Sequence, residues 1–169
     1  MIGNKEGCIV AIVYYAKNRN REDFLEKTLM LHYGYVPSIY KDEKGKPFLD
    51  NNEYISISHS KEYIVLAISS TNIGVDIQKK EYREKVVSLF SEKVNDAEQF
   101  TRLWTIKESY GKYLGIGLNK EILKKDFSEF VYDNVFICDQ LFFCVKEIED
   151  FICAICTKDD KIQYVCIGG

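Results

Sequence analysis

Two carboxylates, a lysine and a histidine stand in this sequence at spacings that chemistry could use. Asp76 lies between β-branched aliphatics in NIGVDIQKK, with Gln78 two residues on. In a strand those two point together to one face while Val75 and Ile77 point to the other. Glu108 and Lys112, in WTIKESYGK, are one helical turn apart and would lie one above the other on a helix. A solvated helix uses such a pair for about 0.2–0.5 kcal/mol. If that face instead meets the polar side of the Asp76 strand, Asp76 and Glu108 can share a hard cation, and Lys112 can meet an anion beside it. Ser58 and His59 end the run ISISHS, and Lys46 sits in GKP. Taken alone, each of these is compatible with a solvated turn.

The elements that must position these groups can be read from periodicity. CIVAIVYY (8–15) reads as a buried strand and REDFLEKTLMLHYG (21–34) as a helix stopped by Gly34. After the charged turn KDEKGKPF (41–48), the runs 54–58, 62–69 and 72–78 read as three short strands of an antiparallel meander. A short helix over 83–90 precedes a longer one that starts at Asp96, an N-cap residue, and ends at Gly115. Its apolar stripe is Phe100, Leu103, Ile106, Tyr110 and Tyr113/Leu114. Four more antiparallel strands follow to 167. Helices and meanders segregate, which predicts an α+β fold rather than a parallel α/β sheet.

The 169 residues, 46% hydrophobic and 14% aromatic, suffice for a real core in one compact unit. A net charge of −3 argues against general affinity for nucleic acid or anionic membrane, so an anionic ligand needs a local site. No apolar run has the length of a spanning helix and the N-terminus lacks a signal-peptide core, so a cytoplasmic location is expected. The six cysteines, Cys8, Cys138, Cys144, Cys153, Cys156 and Cys166, fall in strand-like segments and read as reduced core residues. Cys153 and Cys156 form a C-x-x-C, but a strand sends an i,i+3 pair to opposite faces, which weakens a metal or redox reading.

Taken in order, GKP (45–47), ISISHS (55–60), IGVDIQ (73–78) and LWTIKESYGKYLGIGL (103–118) resemble the signature of the surfactin-synthetase-activating type of 4′-phosphopantetheinyl transferases. The resemblance is close over 45–118 and less specific beyond. It implies a pseudo-dimer of two small α+β halves: a shortened N-terminal half, 1–70, and a C-terminal half, 71–169, carrying the metal-site motifs, with the active site between them. It also implies transfer of 4′-phosphopantetheine from coenzyme A to a serine of an apo acyl or peptidyl carrier protein, with Mg²⁺, releasing 3′,5′-adenosine bisphosphate. Asp76 and Glu108 match the acids that hold Mg²⁺, with Gln78 at a third ligand position. Lys112 matches the lysine on the pyrophosphate, Ser58 and His59 a pair on the coenzyme A phosphates, and Lys46 a lysine at the nucleotide end. Lys107 stands beside the metal glutamate as an assisting group. Lys27 and Thr28 match more weakly the pair near the adenosine phosphate.

The sequence departs from that pattern in three places. Gln78 replaces an acid, which removes one negative charge from the metal site. Val94 stands where the family places a glutamate that could serve as base, leaving Glu92, Glu98 or a metal-bound water as substitutes. The N-terminal half is short for the family, implying fewer cations around the nucleotide. Gln78 and Val94 support an alternative reading, a noncatalytic module that binds coenzyme A or a carrier protein. For docking an acidic carrier, the available basic cluster is KKEYREK (79–85) with Lys93.

Overall fold

The computed structural model describes residues 11–17 and 20–167, so residues 8–10 of the first expected strand, Cys8 among them, lie outside the described residues. Strand β1 (Ala11–Lys17) leads through Asn20, whose side chain caps the next segment, into helix α1 (Arg21–Tyr33), closed by Gly34. The charged turn is a hairpin of β2 (Ile39–Lys41) and β3 (Pro47–Leu49), followed by β4 (Tyr54–Ser60) and β5 (Tyr63–Ser69). Strand β6 (Ile73–Lys79), α2 (Glu84–Val87), α3 (Ala97–Leu114) and α4 (Lys120–Lys124) come next, then β7 (Val135–Cys138), β8 (Leu141–Ile148), β9 (Phe151–Thr157) and β10 (Ile162–Cys166).

These strands make two sheets, in the orders β10-β1-β5-β4-β3-β2 and β6-β9-β8-β7. The fold is α+β. Within the sheets the series β1-β5-β4-β3 and β6-β9-β8-β7 repeat one topology, and a long helix follows the first strand of each series. That internal repeat has the form of a pseudo-dimer. The sheets face each other across Val13, Val65, Val75, Ile77, Cys153 and Ile155. Helix α1 covers the outer face of the first sheet with Phe24 and Leu29, and α3 covers the outer face of the second with Phe100, Leu103 and Ile106. Strands β5 and β9 are buried along their whole length, which is why YIVLAIS and FICAICT are nearly unbroken apolar runs rather than alternating ones.

Three sequence expectations need correction. Strand β6 does not continue the meander: it leaves β5 and pairs antiparallel with β9 in the second sheet. Its outer edge is then served by side chains, because the N–H groups of Val75, Ile77 and Lys79 donate to the hydroxyls of Ser56, Ser58 and Ser60. The last strand, β10, runs parallel to β1 in the first sheet. The helix expected over 83–90 shrinks to four residues, none of them buried, because Phe90 turns away to stack on Phe100.

Cys153 packs between the sheets and Cys156 beneath α3, so this C-x-x-C cannot close on one ion. Burial pushes both thiols up. No helix among the described residues is long and apolar enough to cross a membrane.

Candidate functional site

Helix α3 carries half of the site, and its ends show why it forms where it does. The Asp96 side chain accepts from the Gln99 N–H at the start, while Gly115, at a φ of 68°, gives the left-handed turn that closes it. The helix lies almost directly on β6 at Gly74, where a Cβ would stand 2.0 Å from the carbonyl oxygen of Ser109. Only glycine permits that approach. As a result Asp76, two residues further on the same face of β6, comes under the Glu108 and Lys112 turns of α3.

Asp76 is 2% exposed. Its Oδ1 accepts from Lys112 Nζ at 2.9 Å and from the Ser58 hydroxyl at 2.7 Å. The Lys112 ammonium also donates to the Val75 carbonyl, 3.0 Å away. Oδ2 meets only the Gln78 amide, at 3.4 Å, which is longer than an ordinary N–H···O bond and leaves that oxygen with capacity to bind. Burial first, and the charge of Asp76 second, hold the Glu108 carboxyl above the usual carboxylate range, while Lys112 and Arg83 oppose the shift. Two neighbouring carboxylates, with the Gln78 amide beside them donating to Asp76 Oδ2 and accepting from the Ser60 hydroxyl, form a donor set suited to a hard divalent cation. Among the described residues no group of three or more His, Cys, Asp or Glu side chains gathers as a metal cage, here or elsewhere, so the donors at this site are two carboxylates and an amide.

Beside these residues, between α1 and the first sheet on one side and the C-terminal end of α3 on the other, lies a cavity of about 380 Å³. Arg21 and Leu25 of α1, Lys41, Lys44 and Lys46 of the β2–β3 hairpin, Ile55 and Ile57 of β4, and Lys112 line it. Five of the lining side chains are basic. Sequence reasoning missed Arg21, Lys41 and Lys44; the signal was present in the i,i+4 spacing of Arg21 with apolar Leu25 and in the lysine-rich hairpin. Lys46 has a second task. Its ammonium donates to the carbonyls of Lys112 and Tyr113, both at 2.9 Å, capping the C-terminus of α3. Burial pushes its pKa down to about 8.

The other expected residues are placed differently. His59 is exposed on the face of β4 that carries Ile55 and Ile57, one strand repeat beyond the cavity wall. Ser58 points the opposite way and is buried, its hydroxyl committed to Asp76 and the Ile77 N–H, so its assignment to a coenzyme A phosphate is corrected to that of a group orienting Asp76. Thr28 is fully buried on the core side of α1, and Lys27 pairs with Asp23 across one helical turn, so neither lines the cavity.

Lys107 is 0% exposed, paired at 2.7 Å with buried Glu92, and sandwiched between the rings of Phe90 and Phe127. Burial pulls its pKa below the ordinary value against the opposing pull of Glu92. Glu92 also accepts from the Phe127 N–H. Neither can reach a substrate, which removes Lys107 as an assisting group and Glu92 as a base, and Val94 is packed into the core under α3. In the basic run 79–85, Lys80 is held by Glu147 and Glu98 and Arg83 by Glu81, so two of its four basic residues are committed internally.

A family model of the 4′-phosphopantetheinyl transferase superfamily matches residues 72–156, the stretch from β6 to the end of β9 that holds Asp76, Glu108 and Lys112. The chain is 39% identical over 90 residues to the 4′-phosphopantetheinyl transferase gsp of Aneurinibacillus migulanus, covering 46% of this chain and 38% of that protein. It is 33% identical over 110 residues to the L-aminoadipate-semialdehyde dehydrogenase-phosphopantetheinyl transferase of Saccharomyces cerevisiae, covering 52% and 40%. With the 4′-phosphopantetheinyl transferase Sfp of Bacillus subtilis it shares 32% over 91 residues, covering 46% and 41%. Each match thus spans about two fifths of the relative's length. With the model match covering half of its length and the matched stretch holding the paired carboxylates, the chain belongs to the 4′-phosphopantetheinyl transferase superfamily.

Proposed function

We propose that the protein transfers 4′-phosphopantetheine from coenzyme A to a serine of an apo carrier protein, in a Mg²⁺-dependent reaction. The observation that supports this most directly is the convergence of Asp76 from β6 with Glu108 and Lys112 from α3 beside a cavity lined by cations. Asp76 and Glu108 would hold Mg²⁺, with the Gln78 carbonyl as a third oxygen donor. When bound, the ion neutralises charge on the pyrophosphate of coenzyme A.

The remaining work falls to the chain's own residues. Lys46, Arg21, Lys41 and Lys44 supply positive charge along the cavity wall for the nucleotide phosphates, and Ile55, Ile57 and Leu25 give apolar surface beside them. His59 lies at the rim of the same face. Lys112 neutralises charge where the bond breaks. The carrier serine oxygen forms a bond to the phosphorus of the phosphopantetheine arm as the bond to the bridging oxygen breaks, and 3′,5′-adenosine bisphosphate leaves with that oxygen. The serine proton passes to solvent water, since buried Val94 and sealed Glu92 leave no carboxylate at the usual base position.

The test is intact-mass measurement of a panel of apo carrier proteins incubated with the protein, coenzyme A and Mg²⁺. Transfer adds one phosphopantetheine group, and Asp76→Ala and Glu108→Ala each abolish it. Full activity of Asp76→Ala would overturn the site. A second reading, a noncatalytic module that binds coenzyme A or a carrier, draws on buried Val94 and sealed Glu92, which leave no carboxylate at the usual base position. Coenzyme A binding without mass gain on any carrier would favour it.

A further inference from the structure

Trp104 is the sole tryptophan of the chain. Its indole Nε1 is buried and donates to no partner among the described residues. The ring stacks with Phe90 and Phe100, and the Arg83 guanidinium lies over it, which packs the indole in place. A buried N–H without an acceptor costs free energy that water would otherwise have offset.

The spacing on α3 points to one candidate acceptor. Trp104, Glu108 and Lys112 follow at steps of one helical turn and lie one above the next on a single face. A helical side chain leans back toward the N-terminus of its helix, which carries the Glu108 carboxylate toward Trp104. Arg83 ties the two together, since it covers the indole and also acts electrostatically on Glu108.

We propose that Trp104 is a positioning residue for Glu108: when one oxygen of that carboxylate engages a divalent cation, the other accepts a hydrogen bond from Trp104 Nε1. This rests on the reading of Glu108 as a cation ligand. The indole then decides which oxygen faces the ion and holds it there. Supporting hydrogen bonds of this kind are worth roughly 10–100-fold in metal affinity.

The experiment uses the full chain, labelled with ¹⁵N, in which one tryptophan gives one indole resonance. MgCl2 is titrated while that resonance is followed, and MnCl2 uptake is measured in parallel by calorimetry. The indole proton is expected to move downfield as Mg²⁺ saturates the wild-type protein, and to stay in place in Glu108→Ala. Trp104→Phe, which keeps the ring stack and removes the N–H, is expected to weaken Mn²⁺ binding by about 10–100-fold. An indole resonance that does not move while calorimetry registers Mn²⁺ uptake overturns the proposal and leaves Asp76 and Glu108 as ligands. So does a Trp104→Phe protein that binds Mn²⁺ as the parent does. No Mn²⁺ uptake by the wild-type protein overturns both. The resonance is read on the unaltered chain, so the test survives if the variant fails to fold.

Discussion

Lys112 Nζ lies 2.9 Å from Asp76 Oδ1, joining the last turn of α3 to the middle of β6. The contact neutralises a carboxylate that is otherwise shut away from water. Lys112→Met is therefore expected to destabilise the fold by about 1–3 kcal/mol, the cost of stranding a buried polar group, moderated because the lysine itself is partly exposed. Lys112→Arg should not restore the loss, since a planar fork cannot replace a compact ammonium donating to both Asp76 and the Val75 carbonyl. Urea unfolding of the three proteins checks this, and equal midpoints would refute it.

The pair Glu92–Lys107 is sealed, so its members should report on folding and not on chemistry. Glu92→Leu or Lys107→Met alone is expected to cost about 3–5 kcal/mol, because each strands its partner's charge. The double variant should recover much of that loss. Carrier modification per folded molecule should be retained in the double variant. A Glu92→Gln protein that folds normally yet transfers nothing would make Glu92 the base after all.

At Gly74 the added methyl of alanine would meet backbone, the Ser109 carbonyl oxygen and the Tyr113 nitrogen, neither of which can rotate away. Gly74→Ala should cost about 3 kcal/mol, the upper end for overpacking. For a chain of this size that corresponds to a melting temperature lower by roughly 6–12 °C. Calorimetry reads it directly. An unchanged transition would mean that α3 and β6 are further apart than described.

Lys46 gives a pH signature. Its folded pKa of about 8 lies below the ordinary 10.5, so between those values the unfolded chain binds more protons than the folded one. The Lys46 contribution therefore makes stability rise with pH across that window. An anion in the adjacent cavity favours the ammonium, so affinity for coenzyme A should fall as pH rises above about 8 and binding there should take up a proton. Calorimetry in buffers of different ionisation enthalpy measures that proton. Lys46→Gln should abolish the uptake, and a pH-independent affinity for the parent from neutrality to pH 9.5 would refute the assignment.

Much of this was legible because the deciding physics is local. The Asp96 cap, the Gly115 stop and the opposite facing of Cys153 and Cys156 follow from single-element rules. The meeting of the Asp76 strand with the Glu108 and Lys112 face of α3 was reachable because spacing put each on a polar face, whereas the direct Lys112–Asp76 contact was not expected. What escaped was set by partners distant in sequence. Nothing in IGVDIQ says that β6 will abandon β5, and the alternating serines of β4 look like surface polarity until their hydroxyls are seen accepting from β6 N–H groups. Lys107 reads as a group assisting the neighbouring glutamate, because a cation shared by two aromatic rings and Glu92 leaves no periodic mark. Thr28 was placed by a weak motif match, which carries no information on which face of α1 it occupies, and it lies buried on the core side.

Strand β10 binds β1 in parallel, from Ala11 paired with Ile162 to Tyr15 paired with Cys166. The first sheet is thus completed by a strand that follows the whole second sheet in the chain. Contacts so far apart in sequence form late and slowly. Until they form, β1 presents a bare edge carrying Val13 and Tyr14, open to pairing with another nascent chain. Yield on expression should therefore be sensitive to synthesis rate and chaperone supply, even in variants whose folded state is fully stable.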